Sequence, residues 1–266
     1  MVRAEGTKSS ISDLIGSAAR GDRRALSRLI TDLIERPSPA IFAELQNHRR
    51  GRLITGITGP PGSGKSTLVD RLISHYRSIG KRPGVVMIDP SSPFTGGAIL
   101  GDRVRMQGHS GDSDVFMRSL ATRGRLGGLA MGADAVVMAL DIAGFDPLLI
   151  ETVGVGQSEL DVMKLADTVV VVLHPGWGDA VQANKAGLME TASIFCVNKS
   201  DQPGADLMVG EVRQMLSMSS GSDWIPPVVL TSALEGTGIA ELAEAIAGHQ
   251  ESLERRRPPS SAPAGE

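Results

Sequence analysis

Gly59-Pro60-Pro61-Gly62-Ser63-Gly64-Lys65-Ser66-Thr67 decides the reading of this chain. A glycine, four residues, then Gly-Lys-Ser is the P-loop pattern. The apolar run Leu53-Ile54-Thr55-Gly56-Ile57 reads as a buried strand leading in, and Ser66 to Ile73 as an amphipathic helix leading out. Successive backbone N–H groups of such a loop curl around phosphate oxygens, and the helix N-terminus adds positive potential. Gly62, Ser63 and Gly64 would cradle phosphate. Lys65 would reach the β- and γ-phosphates, the Ser66 hydroxyl would sit on Mg²⁺, and Thr67 would touch the α-phosphate.

Outward from this motif, strand and helix signals alternate. Further strands are expected at 84–89, 115–119, 147–151, 168–174, 193–198 and 228–231. Helices are expected at 65–79, 98–107, 125–143, 158–166, 179–191, 205–217 and 238–256. The run Val169-Val170-Val171-Val172-Leu173 is apolar without alternation, which requires burial on both faces. The expected fold is therefore α/β: a P-loop NTPase with a mainly parallel sheet and helices on both faces. Upstream, Leu26, Leu29, Ile30, Leu33 and Ile34 recur at helical spacing. Gly21-Asp22 breaks this region into two helices, Arg36-Pro37-Ser38-Pro39 ends the second, and a short helix over 41–47 leads to the basic link Arg49-Arg50-Gly51-Arg52. This divides the chain into a small helical appendage at 1–46, a nucleotide-binding domain at 47–257 and a disordered Pro/Ser/Ala tail at 258–266. Residues 1–9 also read as disordered.

Composition bounds the function. The chain has 266 residues, is 41% hydrophobic and 21% charged, and carries a net charge of −3. That balance gives no reason to expect nucleic-acid binding. A single cysteine, Cys196 in an apolar run, excludes disulfides and cysteine-rich metal sites. No apolar run approaches the ~20 residues of a membrane span, and the polar N-terminus has no signal-peptide core. The expected location is cytoplasmic, without membrane attachment.

A P-loop binds phosphate without choosing the base. Asn198-Lys199-Ser200-Asp201 directly follows a strand signal and offers the choice. The Asp201 carboxylate can accept from the ring N–H and exocyclic amine of guanine, a donor pair that adenine lacks. Asn198 would fix the loop and touch the purine, and the Lys199 stem would cover the base face. Thr231-Ser232-Ala233-Leu234, after the last strand, lies where a backbone N–H of Ser232 or Ala233 could meet the base oxygen. Three acids compete for Mg²⁺: Asp89 and Glu151 at strand ends, and Asp102 in Gly101-Asp102-Arg103. Mg²⁺ takes one or two carboxylates with phosphate oxygens and water. Lys65, Asp102 and Glu151 are the candidate catalytic residues. The glycine-punctuated loop Glu151-Thr152-Val153-Gly154-Val155-Gly156-Gln157-Ser158 could place the Gly154 N–H on the γ-phosphate and move when that phosphate leaves. Pro175-Gly176-Trp177-Gly178-Asp179 is a second loop, with an aromatic between glycines that reads as a partner contact.

These residues, with Asp89-Pro90-Ser91-Ser92-Pro93-Phe94-Thr95-Gly96-Gly97, Leu100-Gly101-Asp102-Arg103 and Arg118-Ser119-Leu120-Ala121-Thr122-Arg123-Gly124, resemble the methylmalonyl-CoA mutase-associated GTPases of the MeaB/ArgK type. The resemblance implies a GTP-hydrolysing chaperone, working with GTP/GDP and Mg²⁺, that gates cofactor loading of an adenosylcobalamin-dependent acyl-CoA mutase and protects it. It implies Ser66, Asp89, Asp102 and Glu151 around Mg²⁺, and a third switch loop over 175–185 that signals to the mutase. The family usually has Gly-Asp-Glu in that loop, where this chain has Gly178-Asp179-Ala180. Family members also carry a helical C-terminal dimerisation extension that this sequence lacks, so a monomer or weak dimer is expected. Two other readings compete. A nickel-type metallochaperone GTPase would want His or Cys clusters, against which the single cysteine and scattered histidines argue. A P-loop kinase would favour adenine, against which Asp201 argues.

Overall fold

A computed structural model describes residues 10–36, 38–89, 107–109, 111–121, 126–152, 163–176, 191–217 and 223–256. The apolar runs form β1 (Ile54–Thr58), β2 (Gly84–Asp89), β3 (Phe116–Ala121), β4 (Leu148–Thr152), β5 (Thr168–Leu173), β6 (Ile194–Val197) and β7 (Val228–Leu230). They are hydrogen-bonded in the order β3-β2-β4-β1-β5-β6-β7 as a seven-stranded parallel sheet. Every residue of β1, β4, β5 and β6 is buried, so both faces of these strands are covered. The strand expected over 115–119 runs instead to Ala121, because β2 continues the ladder as far as the pair Asp89 and Ala121. The helices expected over 98–107, 158–166 and 179–191 lie wholly or mostly outside the described residues, as do both expected disordered ends. Among the described residues no helix is long and apolar enough to cross a membrane.

The chain divides into two compact units: Met1–Arg52 with Tyr76–Leu149, and Leu53–His75 with Ile150–Glu266. In the first, helices α1 (Ile11–Ala19), α2 (Arg23–Glu35) and α3 (Pro39–His48) start where the sequence offers caps. Ser10 and Asp13 form a reciprocal capping box, Asp22 accepts from the N–H groups of Arg24 and Ala25, and Ser38 precedes a proline at the first helical turn. The buried stripe Ala25, Leu26, Leu29, Ile30 and Leu33 of α2 packs on α5 (Leu126–Ile142).

One acid in α5 organises the basic link. Asp141 is fully buried, and its Oδ2 accepts from the backbone N–H of Arg50 (2.9 Å) and Gly51 (3.0 Å). The Arg52 N–H reaches Oδ1 at 3.4 Å, and the Arg49 side chain lies 3.5 Å from Oδ2. Removing that acceptor leaves several part-buried donors without it. Asp141→Ala is expected to destabilise the protein by about 2–4 kcal/mol. Urea denaturation would register this as a lower midpoint at unchanged slope, and a loss under about 0.5 kcal/mol would contradict it.

In the second unit, α4 (Lys65–Ser78) follows β1, while α6 (Ala205–Ser217) and α7 (Ile239–Arg256) follow β6 and β7. His249 of α7 is buried, with Nδ1 2.8 Å from Thr168 Oγ1 and its ring against the edge of Trp224. Gln250 donates to Thr55 Oγ1. These contacts fix α7 on the starts of β1 and β5, leaving the carboxyl ends of the strands for loops. In open parallel sheets that is where ligands bind.

Candidate nucleotide site

The chain leaves β1 through a turn that only glycine permits. Gly59 has φ +145°, and a Cβ there would lie 2.2 Å from the Val172 carbonyl of β5. At Gly64, with φ +90°, a Cβ would lie 2.4 Å from Asn198 Nδ2. Between them the Ser63 N–H closes on Pro60 O at 3.3 Å, and α4 begins at Lys65. The first N–H groups of α4 have no acceptor within the helix and are available to an anion. Lys65 is buried, and its ammonium donates to Gly59 O (2.8 Å) and Pro60 O (2.9 Å), which places a compact positive charge inside the curl of the loop.

Beside it, the Ser66 hydroxyl donates to Glu151 Oε1 at 2.6 Å. Glu151 ends β4 and is only 3% exposed. The next residue, Thr152, donates its hydroxyl to Thr58 Oγ1 at 3.1 Å, fastening the end of β4 to the end of β1. Two oxygens this close suit one hard cation: at Mg–O distances of about 2.0–2.1 Å, neighbouring octahedral ligands stand about 2.9 Å apart. Among the described residues no group of three or more His, Cys, Asp or Glu converges. A hydroxyl and one carboxylate are enough for Mg²⁺ when phosphate and water complete its shell. The residues present therefore fit this ion. Asp89 closes β2. Asp102, Gly154, Gln157 and Trp177 lie outside the described residues.

The segment 198–201 is held to the phosphate loop by one side chain. Asn198 is 2% exposed. Its Nδ2 donates to Ser63 O at 2.8 Å, and its Oδ1 accepts from the Ala233 N–H (3.0 Å) and the Thr231 hydroxyl (3.1 Å). The Ala233 N–H, expected at the base oxygen, is thus engaged by Asn198. Lys199 turns the chain through a left-handed conformation, φ +62°. That turn carries Asp201 back towards the loop after β7, where its Oδ1 accepts the Ser232 hydroxyl at 2.6 Å. A carboxylate has about four acceptor positions, so one held oxygen leaves Asp201 able to accept a further pair of N–H donors. Thr67 lies in the first turn of α4, one residue beyond Ser66.

Sequence reasoning did not assign Thr231 to this brace. The only clue was its place beside Ser232 and Ala233. Cys196 Sγ lies 3.2 Å from Thr231 Oγ1 beneath it, and burial pushes the thiol up to about 12, which keeps it chemically quiet. The Ser63 hydroxyl is buried with no hydrogen-bond partner.

The chain is similar to known proteins over most of its length. The family model described as methylmalonyl-CoA mutase-associated GTPase MeaB matches residues 26–258. A relative from Pyrococcus abyssi that carries a GTPase name is 51% identical over 251 residues, spanning 92% of this chain and 78% of its own length. The GTPase ArgK of Escherichia coli is 34% identical over 252 residues, spanning 90% of this chain and 76% of its own. The crystal structure of a protein described as an LAO/AO transport system kinase matches with TM-score 0.73 at 26% identity, covering 92% of this chain and 76% of that one.

Proposed function

The chain belongs to the methylmalonyl-CoA mutase-associated GTPase family, and from that premise we propose that this GTPase is the nucleotide-driven chaperone of an adenosylcobalamin-dependent acyl-CoA mutase, gating cofactor loading and protecting the mutase. The observation that carries the nucleotide half is the Asn198 brace. One buried amide ties Ser63 of the phosphate loop to Thr231 and Ala233, beside the Asp201–Ser232 pair. Triphosphate and base would thus be gripped by a single rigid frame. Family membership supports the mutase half.

In this reading Lys65 exchanges its two carbonyl partners for β- and γ-phosphate oxygens and neutralises charge that builds during transfer. Ser66 and Glu151 would hold Mg²⁺, with Asp89 and Asp102 as the further carboxylates of the proposal. When bound, the ion supplies charge stabilisation on the phosphate oxygens. Asp201 selects guanine, and Lys199 covers the base. Glu151 and Thr152 lead directly into the loop that carries Gly154, so loss of the γ-phosphate would be felt where the metal carboxylate meets that loop. The loop that starts at Pro175 and Gly176 would carry the signal to the mutase. Basal hydrolysis is then slow and raised by the partner, because groups or loop order supplied in trans accelerate phosphoryl transfer.

The test is affinity isolation on immobilised protein loaded with a non-hydrolysable GTP analogue or with GDP, with mass spectrometry of the retained proteins. Retention of an acyl-CoA mutase in one nucleotide state and not the other is expected. Retention of no mutase in either state would contradict the proposal.

A further inference from the structure

Helix α4 begins at the phosphate loop, but it also reaches the loop after β7 through a side chain that no phosphate-binding motif includes. Arg71 lies about 9 Å along the helix from Lys65 at the 1.5 Å rise per residue. Its Nε donates to Ala233 O at 2.9 Å, and its Nη2 donates to Leu234 O at 2.8 Å. One edge of the guanidinium thus grips two successive carbonyls of the segment whose Ser232 hydroxyl orients Asp201 and whose Ala233 N–H engages Asn198.

The geometry assigns Arg71 as a positioning residue for base selection, an inference that rests on the guanine reading above. The planar fork meets both carbonyls with two donors fixed in one plane, a geometry that a flexible ammonium does not hold. Asn198 ties the segment to the phosphate loop at one end of α4, and Arg71 ties it to the body of the helix. With one attachment to the loop and one to the helix that follows it, the segment is set before nucleotide arrives, and the Asp201 carboxylate is oriented in advance. Loss of Arg71 removes no group that would touch nucleotide but frees the segment to shift. The cost then falls on ligands that use the Asp201 carboxylate fully. Guanine presents two donors to it, and hypoxanthine, which lacks the exocyclic amine, presents one.

The experiment is calorimetric titration of the full chain with GDP, IDP and ADP, for wild type, Arg71→Ala and Arg71→Lys. Arg71→Ala is expected to weaken GDP binding about tenfold and IDP binding only about twofold, which narrows the GDP preference. Arg71→Lys, with the charge but without the planar fork, should fall between. A merely structural tether would weaken all nucleotides alike. An unchanged GDP-to-IDP ratio in the variants would overturn the inference, and Arg71→Lys supplies that ratio if Arg71→Ala fails to fold. A wild type that does not prefer GDP to ADP would overturn the guanine reading itself, a result distinct from the failure of Arg71.

Discussion

Asp201→Asn is expected to weaken GTP binding by about 1–3 kcal/mol and to raise the relative affinity for xanthosine triphosphate. The Asp201 Oδ1 is held by the Ser232 hydroxyl at 2.6 Å, which anchors one oxygen of the carboxylate and leaves the other to meet a base. An amide there brings an NH₂ group towards the donor edge of guanine, donor against donor. Xanthine carries a carbonyl in place of the amine and accepts from that NH₂. The hydroxyl of Ser232 can donate or accept, so it tolerates either orientation of the new side chain. The substitution therefore changes selectivity more than it changes the fold. Competition binding between GTP, XTP and ATP is the measurement. An unchanged GTP preference in the variant would remove Asp201 from the base site.

Glu151→Ala should act on turnover instead of binding. The carboxylate is buried at the end of β4 and accepts from Ser66 at 2.6 Å. Its removal deprives the proposed metal position of a charged ligand and leaves the Ser66 hydroxyl without this acceptor. On the proposed reading, ground-state nucleotide would still be gripped by the phosphate loop, the Asn198 brace and Asp201. Charge that develops during transfer loses its stabilisation, so turnover at saturating GTP and Mg²⁺ is expected to fall by about 10²–10³-fold. Nucleotide affinity should change by less than about tenfold. Glu151→Gln, which keeps the shape and drops the charge, should also be slow. Wild-type turnover in both variants would show that Glu151 does not serve the reaction.

Local chemistry made most of the fold legible. The Val-rich run at β5 and its like at β6 could only be strands covered on both faces. The break at Gly21-Asp22 announced both the end of α1 and the cap of α2. The phosphate loop was legible because its glycines answer to sterics: Gly59 must pass the Val172 carbonyl, and Gly64 must leave space for Asn198. Asp201 was singled out through the donor pattern of guanine, and the structure pairs its Oδ1 with the Ser232 hydroxyl. What stayed hidden depends on backbone groups and on pairings distant in sequence. Asn198 reads from its motif as fixing the loop and touching the purine, but the partners through which it fixes the loop, the Ser63 carbonyl and the Ala233 N–H, leave no mark in residue type. Arg71 looks like an ordinary charge on an amphipathic helix until Ala233 and Leu234 fold against it. Asp141 looks like an unplaced charge near the end of an apolar helix. Its role as acceptor for the 50–52 backbone follows only from the packing of α5.

The most direct test of the account is the purine selectivity of catalysis by the intact protein. Phosphate release would be followed with GTP and with ATP at matched concentrations in Mg²⁺, and again after the ion is chelated. The account predicts slow hydrolysis of GTP, a kcat/KM for ATP at least about a hundredfold lower, and loss of activity on chelation. Equal turnover of ATP and GTP, or hydrolysis of GTP that persists without a divalent cation, would contradict it.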